Sequence, residues 1–516
     1  MRDSDSRAGG ITGEQRAVLS VVIITSFMTS FAGSAVNLAI PSISLEFSGS
    51  AILTGWVVTG YLLINSSMAV PFGRIADLTG RRWVLIGGIF IFTACSALCV
   101  FAPSMYALIG MRVLQGVGAA MIFSTNIAIL VGAFPLQRRG RVLGYSVAAV
   151  YVGLSAGPVV GGVLNYYLGW KSIFLSNAAM GFLVFLMALR FLPKDARPDM
   201  QPVDGPGHGS ARPDVAISQG GGRPGGGAGQ TSVRPDGKTN HAGAHRPNDF
   251  DIPGILLYIT MILAVMYGFS ALAGSTPAKF IIAGGFLLGA LFFFHERRAD
   301  SPVVKVSLFA DNPDYALSNL AALLNYGATF ALGYLLSIYL QVAKGFDSQT
   351  AGLILISQPI MMAVLSPFAG RLSDRVSPFK LASLGMGFCA LGLLSFAFIS
   401  DSYPMWLIIA NLIVEGVGFA LFSSPNSNAI MSCVAPRDHG VASSLLATMR
   451  TIGHTSSMAV VTLITAAHMG TATFAGATPQ QLIGAMRTGF IIFTVICAVG
   501  VLFSLQRKGT RPHADA

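Results

Sequence analysis

Three charged residues stand deep inside stretches of chain that are otherwise apolar. Glu415 lies about eleven residues into one apolar run, roughly 16 Å deep and near the midplane of a ~30 Å hydrocarbon core. Arg112 lies roughly 10 Å into a second run, and Arg450 lies within a third. Charge at such depth is costly and marks function by default. A carboxyl group there can bind and release protons near neutral pH, or attract a cation. The alternative for Glu415 is a structural ion pair with Arg450 or Arg112, and for Arg112 bonding to carbonyls of a neighbouring helix. Polar residues also interrupt apolar runs at Asn37, Gln115, Asn325, Tyr326, Gln358 and Asn411, and His454 shares the helix face of Arg450 one turn on. Asn37, Gln115, Asn325, Tyr326 and Gln358 are candidates to line a substrate cavity; interhelical hydrogen bonding is the commoner fate of a single amide in a bundle. Cys95, Cys99, Cys389, Cys433 and Cys497 sit in or beside apolar runs and read as packing residues, so neither a disulfide framework nor a metal site nor a cofactor is expected.

A second set of residues has the chemistry of hinges and clamps. In Gly73-Arg74-Ile75-Ala76-Asp77-Leu78-Thr79-Gly80-Arg81-Arg82, between two apolar runs, the glycines permit a tight turn. Asp77 and Arg81 can make charge-assisted bonds to helix ends, as a clamp that closes and releases. The pattern recurs 297 residues later as Gly370-Arg371-Leu372-Ser373-Asp374, and Gln115-Gly116-Val117-Gly118 recurs 300 residues later as Glu415-Gly416-Val417-Gly418. Gly153, Gly157 and Gly161, with Pro158 among them, form a small-residue ladder along one helix face that permits close helix approach.

The elements that must hold these residues are transmembrane helices. Of 516 residues, 53% are hydrophobic and 11% charged, with mean hydropathy +0.65; soluble domains carry about 25% charge. Apolar runs fall at roughly 18–40, 52–72, 83–103, 105–133, 142–165, 172–192, 252–272, 279–295, 315–341, 350–369, 380–400, 404–430, 440–467 and 487–506. No polar stretch is long enough for a soluble catalytic domain, which excludes an anchored enzyme, and no cleavable signal peptide is evident. Fourteen spans put both termini on one side, where 27 of the 33 Lys and Arg fall against 4 on the other, so both termini are expected in the cytoplasm. That distribution, with no basic stripe interleaved with aromatics, also excludes nucleic acid as a partner of the +11 charge.

The expected organisation is a tail (1–17), a six-helix bundle (18–192), a disordered cytoplasmic linker (193–251), two inserted helices (252–295), a second six-helix bundle (315–506) and a tail (507–516). Gly237-Lys238-Thr239 imitates the end of a phosphate-binding loop, but Ser232 stands where its first glycine should be and no apolar strand precedes it.

The loop at 73–82 resembles the signature of the major facilitator superfamily. Arg112-Val113-Leu114-Gln115-Gly116-Val117-Gly118 is similar to its intramembrane arginine motif, and Gly153–Gly162 to its antiporter motif. Trp56–Leu63, Glu296–Pro302, Tyr339-Leu340-Gln341, Ser424-Pro425-Asn426 and Arg450–Gly453 resemble the fourteen-span drug:proton antiporter branch. One departure matters: Ala32 stands where span 1 of that branch commonly has a carboxylate, and Glu415 is the candidate to which proton coupling has moved. The resemblance implies an all-α membrane fold of fourteen helices (6+2+6) with two pseudo-symmetric bundles around a cavity. It implies a transporter, not an enzyme, that exports small amphipathic, cationic compounds in exchange for protons. A monomer in the lipid bilayer of a prokaryotic plasma membrane is expected. A specific metabolite exporter, an uncoupled facilitator, and a non-transporting membrane sensor or scaffold are the alternatives.

Overall fold

A computed structural model of the chain describes residues 12–134, 136–192, 251–271, 277–299, 309, 312–373, 375–434, 439–470, 472–474 and 476–507. The linker expected at 193–251, Asp251 apart, lies outside the described residues. Thirteen of the described helices are long and apolar enough to cross a membrane. They are α1 (Gly13–Phe47), α2 (Ala51–Thr79), α3 (Arg81–Val100), α4 (Met105–Ala133), α5 (Leu136–Leu168), α6 (Lys171–Phe191), α7 (Ile252–Ala271) and α8 (Pro277–Glu296), followed by α9 (Pro313–Ala343), α10 (Ser348–Ser373), α11 (Pro378–Phe396), α12 (Met405–Ser432) and α14 (Pro479–Leu505). The fourteenth, α13 (His439–Met469), is as long but more polar, because it carries Arg450, His454 and several hydroxyl residues.

Helix ends follow local chemistry more than the limits of the apolar runs. The first run begins near residue 18, yet α1 starts at Gly13 because Thr12 and Gln15 form a reciprocal capping box. The stretch expected as a turn between the second and third runs is mostly helix. Gly73 lies inside α2, and the reversal is made by Gly80 alone, at φ 108°, a conformation that suits glycine. Gly370 likewise lies inside α10.

The two sets of six helices repeat one packing pattern. In the first, α1 packs on α5, α2 on α4, and α3 on α4 and α6; in the second, α9 packs on α13, α10 on α12, and α11 on α12 and α14. The tightest crossings repeat residue by residue. A side chain at Gly118 would stand 2.8 Å from the Gly88 carbonyl oxygen, and one at Gly418 2.8 Å from that of Gly385. One at Gly116 would stand 2.5 Å from the Tyr61 carbonyl oxygen, and one at Gly416 2.5 Å from that of Gln358. The repeated glycine pairs therefore seat α4 on α2 and α3, and α12 on α10 and α11, at distances no larger residue allows. Helices α7 and α8 pack together, and α7 lies against α2 and α13, where Tyr258, Ile262 and Met266 meet Leu63 and Ala459.

Candidate functional site

Between the two sets of six helices lies a cavity of about 780 Å³. Its walls come from α1, α2, α4 and α5 on one side and α9, α10, α12 and α13 on the other. On the face away from the chain termini the halves are held together. Ser337 Oγ donates to the Asn37 carbonyl at 2.8 Å, Ser348 Oγ to the Gly162 carbonyl at 3.0 Å, and the Ala51 amide to the Ala472 carbonyl at 2.9 Å. The glycine ladder of α5 explains this closure. Gly153 faces the Phe27 carbonyl oxygen of α1 at 2.5 Å, Gly157 the Ser34 Cβ at 2.5 Å and Gly161 the Ala35 Cβ at 2.7 Å, measured to the Cβ a side chain would add. The other face of α5 meets α10: Pro158 against Gly352 and Gly162 against Ser348. The ladder thus binds α5 to its own bundle while Pro158 and Gly162 present backbone to the opposite one.

Of the expected cavity residues, Asn37, Tyr326 and Gln358 are on the wall, and so is His454. Gln115 and Asn325 are not: they turn into the bundles. Gln115 Nε2 donates to Ser96 Oγ at 2.6 Å, and Asn325 Oδ1 lies 3.9 Å from Cys497 Sγ, both amides being fully buried. Packing between helices won over cavity lining in both cases, as is common for a lone amide.

The two intramembrane arginines have different lives, and no contact among the described residues joins them into a network. Arg112 is buried inside the first bundle. Its Nε donates to the Val57 carbonyl at 2.9 Å, its Nη1 to Gln115 Oε1 at 2.5 Å, and its guanidinium lies 4.3 Å from the centre of the Tyr61 ring. Since Tyr61 is a wall residue, Arg112 backs the cavity without entering it. Arg450 stands on the wall itself, 5.1 Å from the centre of the Tyr326 ring, with its Nε unpartnered.

Glu415 is fully buried in the second bundle and pairs with neither arginine. Its carboxylate lies against Gly392, where an added Cβ would be 2.5 Å from Oε1, and beside Cys389. Asn411, one turn earlier, donates to the Gly392 carbonyl at 3.0 Å. The cavity begins one turn beyond Glu415, at Phe419. Ala32 is buried in α1 and does not line the cavity.

Sequence reasoning missed the hydroxyl cluster that joins the halves at the cavity. The hydroxyls of Tyr151 from α5 and Tyr326 from α9 both reach Ser423 Oγ of α12, at 2.9 and 3.2 Å. Tyr326 is among the expected cavity residues, but Tyr151 and Ser423 are not, because tyrosine and serine in apolar runs are too common for each to be singled out. Sequence reasoning singled out Arg450 for its depth but not the sign of the wall. Among the described residues no aspartate, glutamate or lysine lines the cavity, and Arg450 is its one permanent charge. A cationic compound, as expected from the sequence, would meet no counter-charge on this wall.

At the loop motif, Arg81 Nη1 donates to the Ala128 carbonyl at 3.3 Å and Arg82 Nη2 to the Leu189 carbonyl at 3.2 Å, near the C-terminal ends of α4 and α6, where a cation is favoured. The Asp77 side chain and the whole of Asp374 lie outside the described residues.

The chain is similar to several known transport and resistance proteins along most of its length. The chain is 27% identical over 435 residues to a protein named riboflavin transporter RibZ of Clostridioides difficile, covering 84% of this chain and 85% of that one. It is 28% identical over 438 residues to multidrug resistance protein Stp of Mycobacterium tuberculosis (84% and 72% covered). It is 27% identical over 464 residues to the methylenomycin A resistance protein of Streptomyces coelicolor (88% and 87% covered). Among solved structures, a bacterial homologue of the human lysosomal transporter Spinster, in an inward-facing and unoccupied conformation, aligns with TM-score 0.63 at 15% identity over 96% of this chain and 98% of that one, a likeness of fold. The sequence profile of the Major Facilitator Superfamily matches residues 22–309 and 319–516, nearly the whole helical body, and the chain belongs to that superfamily as a multi-pass membrane transporter.

Proposed function

We propose that this transporter exports small amphipathic compounds by alternating access, in exchange for protons, across a prokaryotic plasma membrane with both termini in the cytoplasm. The observation that carries the reading is the cavity of about 780 Å³ between the halves, sealed on the face away from the termini. With 27 basic residues on the side of the termini, the sealed face is the outer one, and the conformation is inward-facing. Release then requires the seam between α5 and α10 and the Tyr151–Ser423 bridge to part while the cytoplasmic side closes. The resistance proteins among the relatives support export.

Glu415 is the proposed coupling group. Enclosed by Gly392 and Cys389 with no basic partner among the described residues, its carboxyl can exchange a proton with water only when the helices around it shift. Opening of the bundle and protonation are thereby linked. Each exchanged proton contributes about 1.4 kcal/mol per pH unit and about 2.3 kcal/mol per 100 mV.

The test is proton movement in proteoliposomes holding an internal pH dye, with a panel of lipophilic cations, neutral compounds and acids added to wild type and Glu415→Gln. Compound-induced proton flux lost in Glu415→Gln is expected. Labelled compound crossing without proton movement overturns the coupling, and no crossing of any compound overturns export. A carrier for one metabolite is the second reading, favoured by the relative named a riboflavin transporter.

A further inference from the structure

The charge on the cavity wall narrows the cargo, on the reading that this cavity is the transport site. Arg450 projects from α13 into a space in which no described residue supplies a carboxylate. A guanidinium at such depth is ordinarily paired with an acid or bonded to carbonyls. Arg112 meets that requirement with Val57 and Gln115, whereas Arg450 meets the ring and the hydroxyl of Tyr326, neither of them an acid or a carbonyl, and its Nε–H stays unmatched. A buried donor without an acceptor is a deficit that an incoming anion removes.

The surroundings suit the rest of such a molecule. His454 stacks on Phe330 with ring centres 4.2 Å apart and meets Tyr326 edge-on at 5.5 Å, and Phe419 meets Tyr326 at 5.4 Å. The result is an aromatic shelf with the guanidinium at its margin. Across the cavity Asn37 Oδ1, buried and unpartnered, can accept from a hydroxyl or amide of the cargo. We infer that the cargo is an amphipathic organic anion, an aromatic or polycyclic carboxylate, with Arg450 as its charge anchor.

The full chain in nanodiscs tests this with three probes: 6-methoxy-2-naphthylacetate, its methyl ester, and tetraphenylphosphonium, titrated by fluorescence or radioligand binding. Wild type is expected to bind the acid at least tenfold tighter than the ester and to bind the cation most weakly. Arg450→Gln should bring the acid down to the ester's affinity while leaving the ester unchanged, which shows that the variant is folded; Arg450→Lys should keep part of the preference. Equal affinity for acid and ester, preference for the cation, failure of the acid to bind, or an acid preference that survives Arg450→Gln each overturns the assignment. Binding of the acid with no passage in proteoliposomes upholds the charge assignment and refutes the export reading, so the two fail separately.

Discussion

The closed seam between α5 and α10 can be opened by one methyl group. At Gly352 an added Cβ would stand 2.9 Å from the Pro158 carbonyl carbon and closer still to its oxygen, against about 3.4 Å for ordinary contact. The obstacle is backbone, so α10 must retreat by at least half an ångström or the seam must part. Overpacking of this kind costs about 1–3 kcal/mol. The penalty exists only while the halves touch here, so Gly352→Ala should shift the equilibrium about 5- to 150-fold toward the state open on this face. Gly387→Ala is the control, since its Cβ would meet nothing within 4 Å. Spin labels at the exposed positions Tyr167 and Ser402, with the five cysteines replaced, report the separation of the halves by pulsed electron resonance. A distance distribution moved to longer values in Gly352→Ala, but not in Gly387→Ala, is expected. Coincident distributions in all three proteins would refute the argument that this contact holds the state.

Other substitutions probe the site and its scaffold. Tyr151→Phe removes a hydroxyl bridge between the halves worth about 1 kcal/mol, and should move the same spin-label distribution in the same direction about fivefold. Gly392→Ala drives a methyl to within 2.5 Å of Glu415 Oε1 and should impair proton flux as Glu415→Gln does, measured with the internal dye. Asp77→Asn is expected to abolish flux while sparing binding of the naphthyl acid; loss of neither rejects the clamp reading of that loop. Arg507 is buried among Ser318, Asn426, Ser383 and the Phe379 carbonyl; burial lowers its guanidinium to about 10, so it remains charged at neutral pH. Arg507→Gln should cost about 3 kcal/mol in thermal unfolding. Asp347 accepts the Thr350 amide at 2.7 Å, which holds its carboxyl below the usual value. That contribution is complete above about pH 4 and is lost as pH falls through the lowered value. Asp347→Ala should therefore lower stability by about 1 kcal/mol at pH 7, and the difference should shrink as pH falls below about 4 in thermal melts.

How much of this was readable from residue order depended on whether a signal was local. Apolar runs gave the number and order of helices because each span must satisfy its own backbone bonds. Their ends moved where capping decided, as at Thr12, and the loop glycines divided into a helical Gly73 and a turning Gly80 because only the second needs a positive φ. Side-chain destinations were another matter. Gln115 and Gln358 look alike in sequence, but Gln358 reaches the cavity while Gln115 is held by Arg112 and Ser96. Which face of a helix meets a cavity depends on the crossing of two bundles about 300 residues apart, and no local pattern encodes it. The repeats at 73 and 370 and at 115 and 415 were legible; that Gly116, Gly118 and their counterparts Gly416 and Gly418 work as backbone crossings was not, because it depends on the neighbouring helices.

A cavity whose described wall carries one permanent charge, the Arg450 guanidinium, also bears on the electrical character of the cycle. A monovalent cation exchanged for one proton moves no net charge, so voltage is useless to it. An anion leaving as a proton enters moves two charges in the same sense, and a negative interior then contributes about 4.6 kcal/mol per 100 mV. Even with no proton, the 2.3 kcal/mol acting on the anion alone sustains about a fiftyfold gradient at 100 mV. A carrier of this kind can dispense with the acid in span 1 that Ala32 replaces. On the anion reading the membrane potential itself would expel the cargo, and flux should follow an imposed potassium diffusion potential at constant pH.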